Sequence, residues 1–346
     1  FKQKTAYEML RSLVGSEMCI RDRLFVAGPP VVERGFGKPI EKNELGGSDI
    51  HANGSGAVDN EVGTEQEAFE TISRFLSYLP QNVWQAPPRI ENADPVERRD
   101  ESLLSVIPRD RRQMYQVREI INSIVDLDTF FEINPNYGES LVVGLARLNG
   151  YSIGIMANDT HHHGGAVNAT ASEKMMRFVD LADTFHIPIL NLVDNPGFLI
   201  GRQAEEEGTV RIGSRALMAC YQASVPWVSI ITRRCYGVAG AGHGNADRLN
   251  LRYAWPSADW GSLPIEGGVQ AAYRRDIEAA ENPDARRREL EGMLEKYRSP
   301  FKTAEAFGIE EIIDPRDTRG LLCEWAELAY ELLPSQLGPK ARTPRP

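Results

Sequence analysis

Residues 235–245 read CYGVAGAGHGN, with four glycines and two alanines between positions 237 and 244, directly behind the apolar run WVSIIT (227–232). Glycine at that density lets a backbone approach a partner closely and adopt φ values closed to other residues. Three chemistries use such a stretch. A phosphate-cradling loop requires G-x-x-x-x-G-K-[ST], and no Lys follows here. A dinucleotide fingerprint requires G-x-G-x-x-G early in a βαβ unit; Gly240-Ala241-Gly242-His243-Gly244 has the wrong spacing and stands after several α/β units. The third is an oxyanion hole. Small residues at a strand-to-helix turn leave successive backbone N–H groups unpaired and aimed at one point, aided by the positive end of the helix that follows. Each such donor supplies about 3–4 kcal/mol to a transition state. Close helix–sheet packing through small residues explains the same composition, and spacing alone leaves both readings open.

Other residue types offer less. Gly164-Gly165 can line a pocket or simply turn a loop, and Asn195-Pro196-Gly197-Phe198 must turn the chain in any case. His161-His162-His163 suggests a metal, but consecutive residues of an extended chain point to alternate faces, which favours a surface loop. His243 is a pocket group or a helix-end histidine. Cys235 adjoins the glycines, with nothing nearby to lower its pKa. Trp255, Trp260 and Tyr253 read as core or interface aromatics. No catalytic triad or metal set stands out.

The elements that must position these groups follow from periodicity. A helix spans 65–80, with Ala68, Ile72, Phe75, Leu76 and Leu79 on one face and Pro80 as its stop. Residues 81–101 carry Pro87, Pro88 and Pro95 among polar residues, a linker composition. A helix is predicted over 109–126. Strands 140–148 and 151–159 flank Asn149-Gly150, a strong hairpin signal. A capping box at Thr170–Glu173 opens a helix carrying Met175, Phe178, Val179, Ala182 and Phe185. Strand 188–194, helix 211–224 and strand 227–232 follow. This order predicts an α/β domain with a largely parallel sheet, whose ligands gather at the carboxyl ends of strands. Both NPGF and the glycine-rich stretch lie there.

The chain has 346 residues, 42% hydrophobic and 25% charged, with a formal net charge of -10. That acidity argues against general nucleic-acid binding, since Arg286-Arg287-Arg288 is bracketed by Asp284 and Glu289. Four scattered cysteines (Cys19, Cys220, Cys235, Cys323) suggest neither a disulfide framework nor a metal site, and the chain reads as cytoplasmic. No apolar run spans a bilayer. Residues 1–23 begin without Met and resemble translated sequencing-adapter read-through more than a natural amphipathic helix, so they are read as non-native.

Six stretches, in order, carry a family resemblance: ELGGSDIH (44–51), PRDRRQMYQVREII (108–121), FFEINPNYGESLVVGLARLNGYSIGIMAN (130–158), RFVDLADTFHIPILNLVDNPGF (177–198), ITRRCYGVAG (231–240) and SPFKTAEAFGIEEIIDPRDTR (299–319). They span nearly everything from residue 24 to about 330 and are similar to the carboxyltransferase β subunit of biotin-dependent acyl-CoA carboxylases, of propionyl-CoA and methylcrotonyl-CoA type. The resemblance implies an α/β, crotonase-like spiral of ββα units. It places the tail of an acyl-CoA-side domain and a linker at 24–95, and a complete carboxybiotin-side domain at 96–346. The implied reaction moves a carboxyl group from carboxybiotin to the carbon beside an acyl-CoA thioester, so biotin is the cofactor and acyl-CoA the substrate. Biotin itself takes the α-proton, and the protein supplies donors rather than a base.

The family's Tyr-Gly-Gly-Ala motif reads Tyr236-Gly237-Val238-Ala239 here, which assigns the donor amides to Val238 and Ala239. Gly164, Gly165, Pro196, Gly197 and Phe198 become substrate-lining candidates. Ala241 stands where propionyl-type members carry Asp, at a position that bears on acyl choice. The implied partners are a biotin carboxylase, a biotin carboxyl carrier protein and further copies of the subunit in a hexamer, with no membrane involvement. Two alternatives remain: the α subunit of a biotin-dependent acyl-CoA decarboxylase, which would add a membrane partner, and a non-catalytic assembly subunit.

Overall fold

The computed structural model describes residues 19–20, 23–240, 242, 248–262, 265–295, 298–306 and 308–341. The expectations placed on most of residues 1–23, and on Ala241 and His243, lie outside them. Two compact units form: residues up to Ser73 with Ile133–Tyr137, and Arg74–Glu132 with Gly138–Pro346.

In the first unit, β1 (Cys19–Ile20) and β2 (Arg23–Leu24) pair antiparallel. Then come α1 (Pro29–Phe36), α2 (Lys42–Gly46), a π-helical turn over Asp49–Gly54 and the start of α3 (Glu65–Ser77). Thr64 and Glu67 close a capping box at the start of α3: Glu67 N donates to Thr64 Oγ1 at 3.2 Å, and Thr64 N to Glu67 Oε2 at 3.0 Å.

The second unit is built on a sheet of order β10-β8-β7-β6-β5-β4-β3, with β9 beside β7. Its strands are β3 (Phe131–Ile133), β4 (Leu141–Leu148), β5 (Tyr151–Asn158), β6 (Ile189–Asn195), β7 (Trp227–Tyr236), β8 (Asn250–Ala254), β9 (Asp259–Gly261) and β10 (Glu311–Ile312). β4 and β5 form the antiparallel hairpin, turned by Asn149 (φ 49°) and Gly150 (φ 79°). β5, β6, β7, β8 and β10 run parallel, as the alternation of strands and helices requires.

Strand alternation sorts side chains onto two faces. Ile153, Ile155, Leu190, Leu192, Val228 and Ile230 form one core with α4 (Val117–Ile124) and the C-terminal helix Thr318–Leu332. The opposite face is covered by α5 (Ala169–Thr184), whose Phe178 lies over Gly154, leaving no room there for a Cβ. After α6 (Arg202–Glu206) comes α7 (Thr209–Gln222), which packs beside α5.

Three expectations shift. The helix predicted over 109–126 is confined to α4, because Tyr115 N is drawn to Thr160 Oγ1 and Arg111 pairs with Asp259. The cap of α5 is Asn168, not Thr170: Asn168 Oδ1 accepts Ala171 N at 2.9 Å, so the helix starts earlier than the capping-box spacing implies. Strand β7 extends to Tyr236, since β9 offers partners to Arg234, Cys235 and Tyr236.

Candidate oxyanion site at the end of strand β7

Strand β7 ends by turning directly into a single helical turn, α8 (Gly237–Gly240). The left-handed conformation the turn needs falls on Gly237 (φ 61°), and Val238 is spared it. The first N–H groups of a helix have no intrahelical acceptor. Among the described residues, no backbone acceptor pairs with the N–H of Val238 or Ala239. Ala239 is buried, whereas Val238 is 69% exposed. Gly240 has no room for a side chain, since a Cβ there would sit 2.8 Å from the Cys235 carbonyl carbon.

Two buried carboxylates brace this turn. Asp194, at the end of β6, accepts from Arg233 Nε at 2.9 Å, Arg234 Nε at 2.6 Å, Arg234 N at 3.1 Å and the Tyr115 hydroxyl at 2.9 Å. Asp259, on β9, accepts the Tyr236 hydroxyl at 2.6 Å and Arg298 Nε at 3.1 Å, and also pairs with Arg111. Burial, seconded by Asp259, pushes the Tyr236 phenol up to about 12, so it stays a neutral donor. Burial alone pushes the Cys235 thiol up to about 12; it is inert as a nucleophile and donates to Gly240 O at 3.5 Å.

The other candidate residues converge here. Arg234 Nη2 donates to Gly164 O at 2.6 Å, and Asn158 Nδ2 to Gly165 O at 3.1 Å. Both glycines have positive φ, and a Cβ on Gly165 would lie 2.8 Å from Asp194 O. Gly197 N is held by Asn195 Oδ1 at 2.9 Å, and a Cβ on Gly197 would lie 3.8 Å from Tyr236 O. Pro196 sits in that turn. Phe198 swings away to pack against Gly213 of α7, so it supports the turn from behind. Two of the three histidines face different acids, His161 Nδ1 lying 3.3 Å from Asp159 and His162 Nδ1 3.4 Å from Glu139. Among the described residues no group of three or more His, Cys, Asp or Glu is placed to hold a metal. Trp255 is fully buried and donates to Thr318 Oγ1 at 3.0 Å.

Sequence reasoning missed the bracing residues Asp194, Arg233, Arg234, Tyr115, Asp259 and Arg298. Two arginines inside an otherwise apolar strand were a signal for the first cluster. Asp259 and Arg298 carry no local signal.

A family model described as the carboxyl transferase domain matches residues 15–341. The chain is 38% identical over 310 residues to the propionyl-CoA carboxylase carboxyltransferase subunit of Haloferax mediterranei, covering 88% of this chain and 60% of that protein. To the methylmalonyl-CoA carboxyltransferase 12S subunit of Propionibacterium freudenreichii it is 34% identical over 314 residues, covering 90% and 60%. A solved structure of transcarboxylase 12S, described as a hexamer with methylmalonyl-coenzyme A bound, superposes with a TM-score of 0.83 at 32% identity, covering 94% of this chain and 61% of that one. The fold is therefore crotonase-like α/β. This chain spans about 60% of the length of the curated relatives it matches.

Proposed function

The chain belongs to the carboxyl transferase domain family, and on that premise we propose that it works in moving a carboxyl group from carboxybiotin to the α-carbon of an acyl-CoA, propionyl-CoA in the first instance. The observation that carries this reading is the pair of adjacent amides, Val238 and Ala239, without acceptors among the described residues and held at a braced strand end. The donor set suits a urea-like guest, because a carbonyl oxygen gaining negative charge needs converging N–H groups and no side-chain base. Bound carboxybiotin would supply the carboxyl group and then the nitrogen that takes the α-proton.

In this account the chain's residues orient and stabilise. Val238 and Ala239 donate to the ureido oxygen. Gly164, Gly165, Pro196 and Gly197 shape the walls around it, and Phe198 backs them. Asp194 and Asp259 keep the turn from relaxing, so its dipoles need no reorganisation as charge develops. Ala241 is assigned to acyl choice. We assign the carboxyl supply to a biotin carboxylase acting through a biotin carboxyl carrier protein, and the working form to a homo-oligomer. The donor turn gives no support to a purely structural subunit.

The full-length polypeptide, given free carboxybiotin and propionyl-CoA, should form methylmalonyl-CoA. No carboxylated product with any acyl-CoA would contradict the proposal.

A further inference from the structure

Arg234 has more donors than the turn uses. Its Nε donates to Asp194 at 2.6 Å and its Nη2 to Gly164 O at 2.6 Å, while Nη1 donates to no described residue. The guanidinium lies against the two glycines of positive φ. Nη1 stands 3.8 Å from where a Cβ on Gly164 would be, and Nη2 3.8 Å from where one on Gly165 would be. Neither glycine puts a side chain in its way, and the Arg234 side chain is 18% exposed.

Charge points to the same group. Arg233 and Arg234 both pair with Asp194, so two cations share one carboxylate. Tyr115, also on Asp194, stays a neutral phenol, because burial holds its pKa well above the ordinary value. Arg233 is only 4% exposed and is fully engaged: with Asp194, with Gln113 O at 2.9 Å and against the face of the Tyr115 ring. The surplus positive charge therefore lies on Arg234, at the glycine wall. A largely buried cation that shares its counter-charge favours a further anion.

We propose that Arg234 holds the carboxylate in transit, its Nη1 N–H groups donating to the carboxylate oxygens, an inference that rests on the carboxyl-transfer reading above. The guanidinium fork matches a planar carboxylate, and such charge-assisted bonds are among the strong ones. Asp194 and Gly164 O fix the fork from behind, so it needs no rearrangement to receive the guest. Arg234 also precedes Gly237 by three residues, so the carboxylate anchor and the donor turn lie in one short stretch of chain.

The two sites divide the charge between them. The C–N bond that carries the carboxyl group breaks, its electron pair passing to the ureido nitrogen and oxygen, where Val238 and Ala239 donate. The carbon leaves as neutral CO2. The thioester's α-carbon gives its proton to that nitrogen, and the pair it retains forms the new C–C bond to CO2, restoring a carboxylate. Arg234 therefore meets an anion before the first event and after the second, and the amides meet it in between. A cation that binds both ends of the transfer fixes where the migrating carbon starts and where it finishes.

The test is calorimetric binding of propionyl-CoA and methylmalonyl-CoA, which differ by the carboxylate alone, to the full-length protein. The preference for methylmalonyl-CoA should fall by about 10- to 100-fold in Arg234→Gln and in Arg234→Met, the range of one hydrogen bond to a charged group. Arg234→Lys, which keeps the charge, should lose less than either. A distorted wall would weaken both esters alike, so a merely structural Arg234 leaves the preference unchanged, and that result in a folded uncharged variant overturns the inference. Crystals of the wild type with methylmalonyl-CoA serve if neither uncharged variant folds. A carboxylate oxygen is expected within hydrogen-bond distance of Arg234 Nη1, and a carboxylate turned away from Arg234 overturns the inference. A wild type that binds both esters with a preference independent of Arg234 removes this inference alone; one that binds neither ester and transfers no carboxyl group removes the reading beneath it.

Discussion

Val238 occupies a position where a second glycine would be expected beside Gly237, and the backbone shows why it is tolerated. Of the two, only Gly237 has a positive φ, at 61°, and Val238 is 69% exposed. A main-chain donor does not depend on its side chain. Val238→Gly should therefore leave carboxyl transfer within about threefold of wild type, since no hydrogen bond is lost. Gly237→Ala should behave differently. A Cβ in the left-handed region costs about 1–2 kcal/mol, and the turn can relieve it only by re-aiming the amides. Transfer should fall well below the loss of stability that urea unfolding records; parallel losses would show that Gly237 serves folding alone. The donor residues were legible because the signal is local, small residues directly behind an apolar strand.

At the scale of elements, the turn is fixed by parts that are distant in sequence. Tyr236 ends β7, Asp259 lies on β9, and Arg298 follows the helix Pro283–Glu295. Asp259 is 1% exposed. Asp259→Asn leaves Arg298 without its buried partner and should cost about 3 kcal/mol of stability. Tyr236→Phe should cost about 1 kcal/mol, the value of one hydrogen bond. Because both act through one contact, the double variant should lose less than the two single losses combined, which a double-mutant cycle by urea unfolding checks. Simple additivity would show that Tyr236 and Asp259 act independently. The hairpin, α5 and strand β6 were readable from periodicity, since their patterns are dictated by which face is buried. The helix expected from residue 109 was wrong before residue 117: the pull of Thr160, Asp194 and Asp259 on residues 111–115 is tertiary, and local propensity yields to it. The extra length of β7 has the same origin in β9.

At the scale of the whole molecule, Lys174 on α5 is a buried ammonium. It is 2% exposed, and its ammonium has no hydrogen-bond partner among the described residues. Burial lowers its pKa from 10.5 to about 8, against the pull of Glu132. Below pH 8 both folded and unfolded chains hold this proton. Between pH 8 and 10.5 the unfolded chain holds it and the folded chain does not, so Lys174 makes stability rise with pH across that window. The rise should approach about 3 kcal/mol. Lys174→Met should remove it and raise stability at pH 7, as read by chemical unfolding at several pH values. An identical pH profile in the variant would show that Lys174 finds a partner in solution. Among the described residues no helix is long and apolar enough to cross a membrane.

The central claim is that two main-chain N–H groups do the catalytic stabilising. Replacing the peptide bond before Ala239 with an ester deletes one of those donors while keeping shape and side chain. In the full-length enzyme the account predicts that kcat for carboxyl transfer falls by about 10²–10³, the loss typical of one oxyanion donor, with melting temperature preserved. An unchanged kcat in the folded ester variant would contradict it.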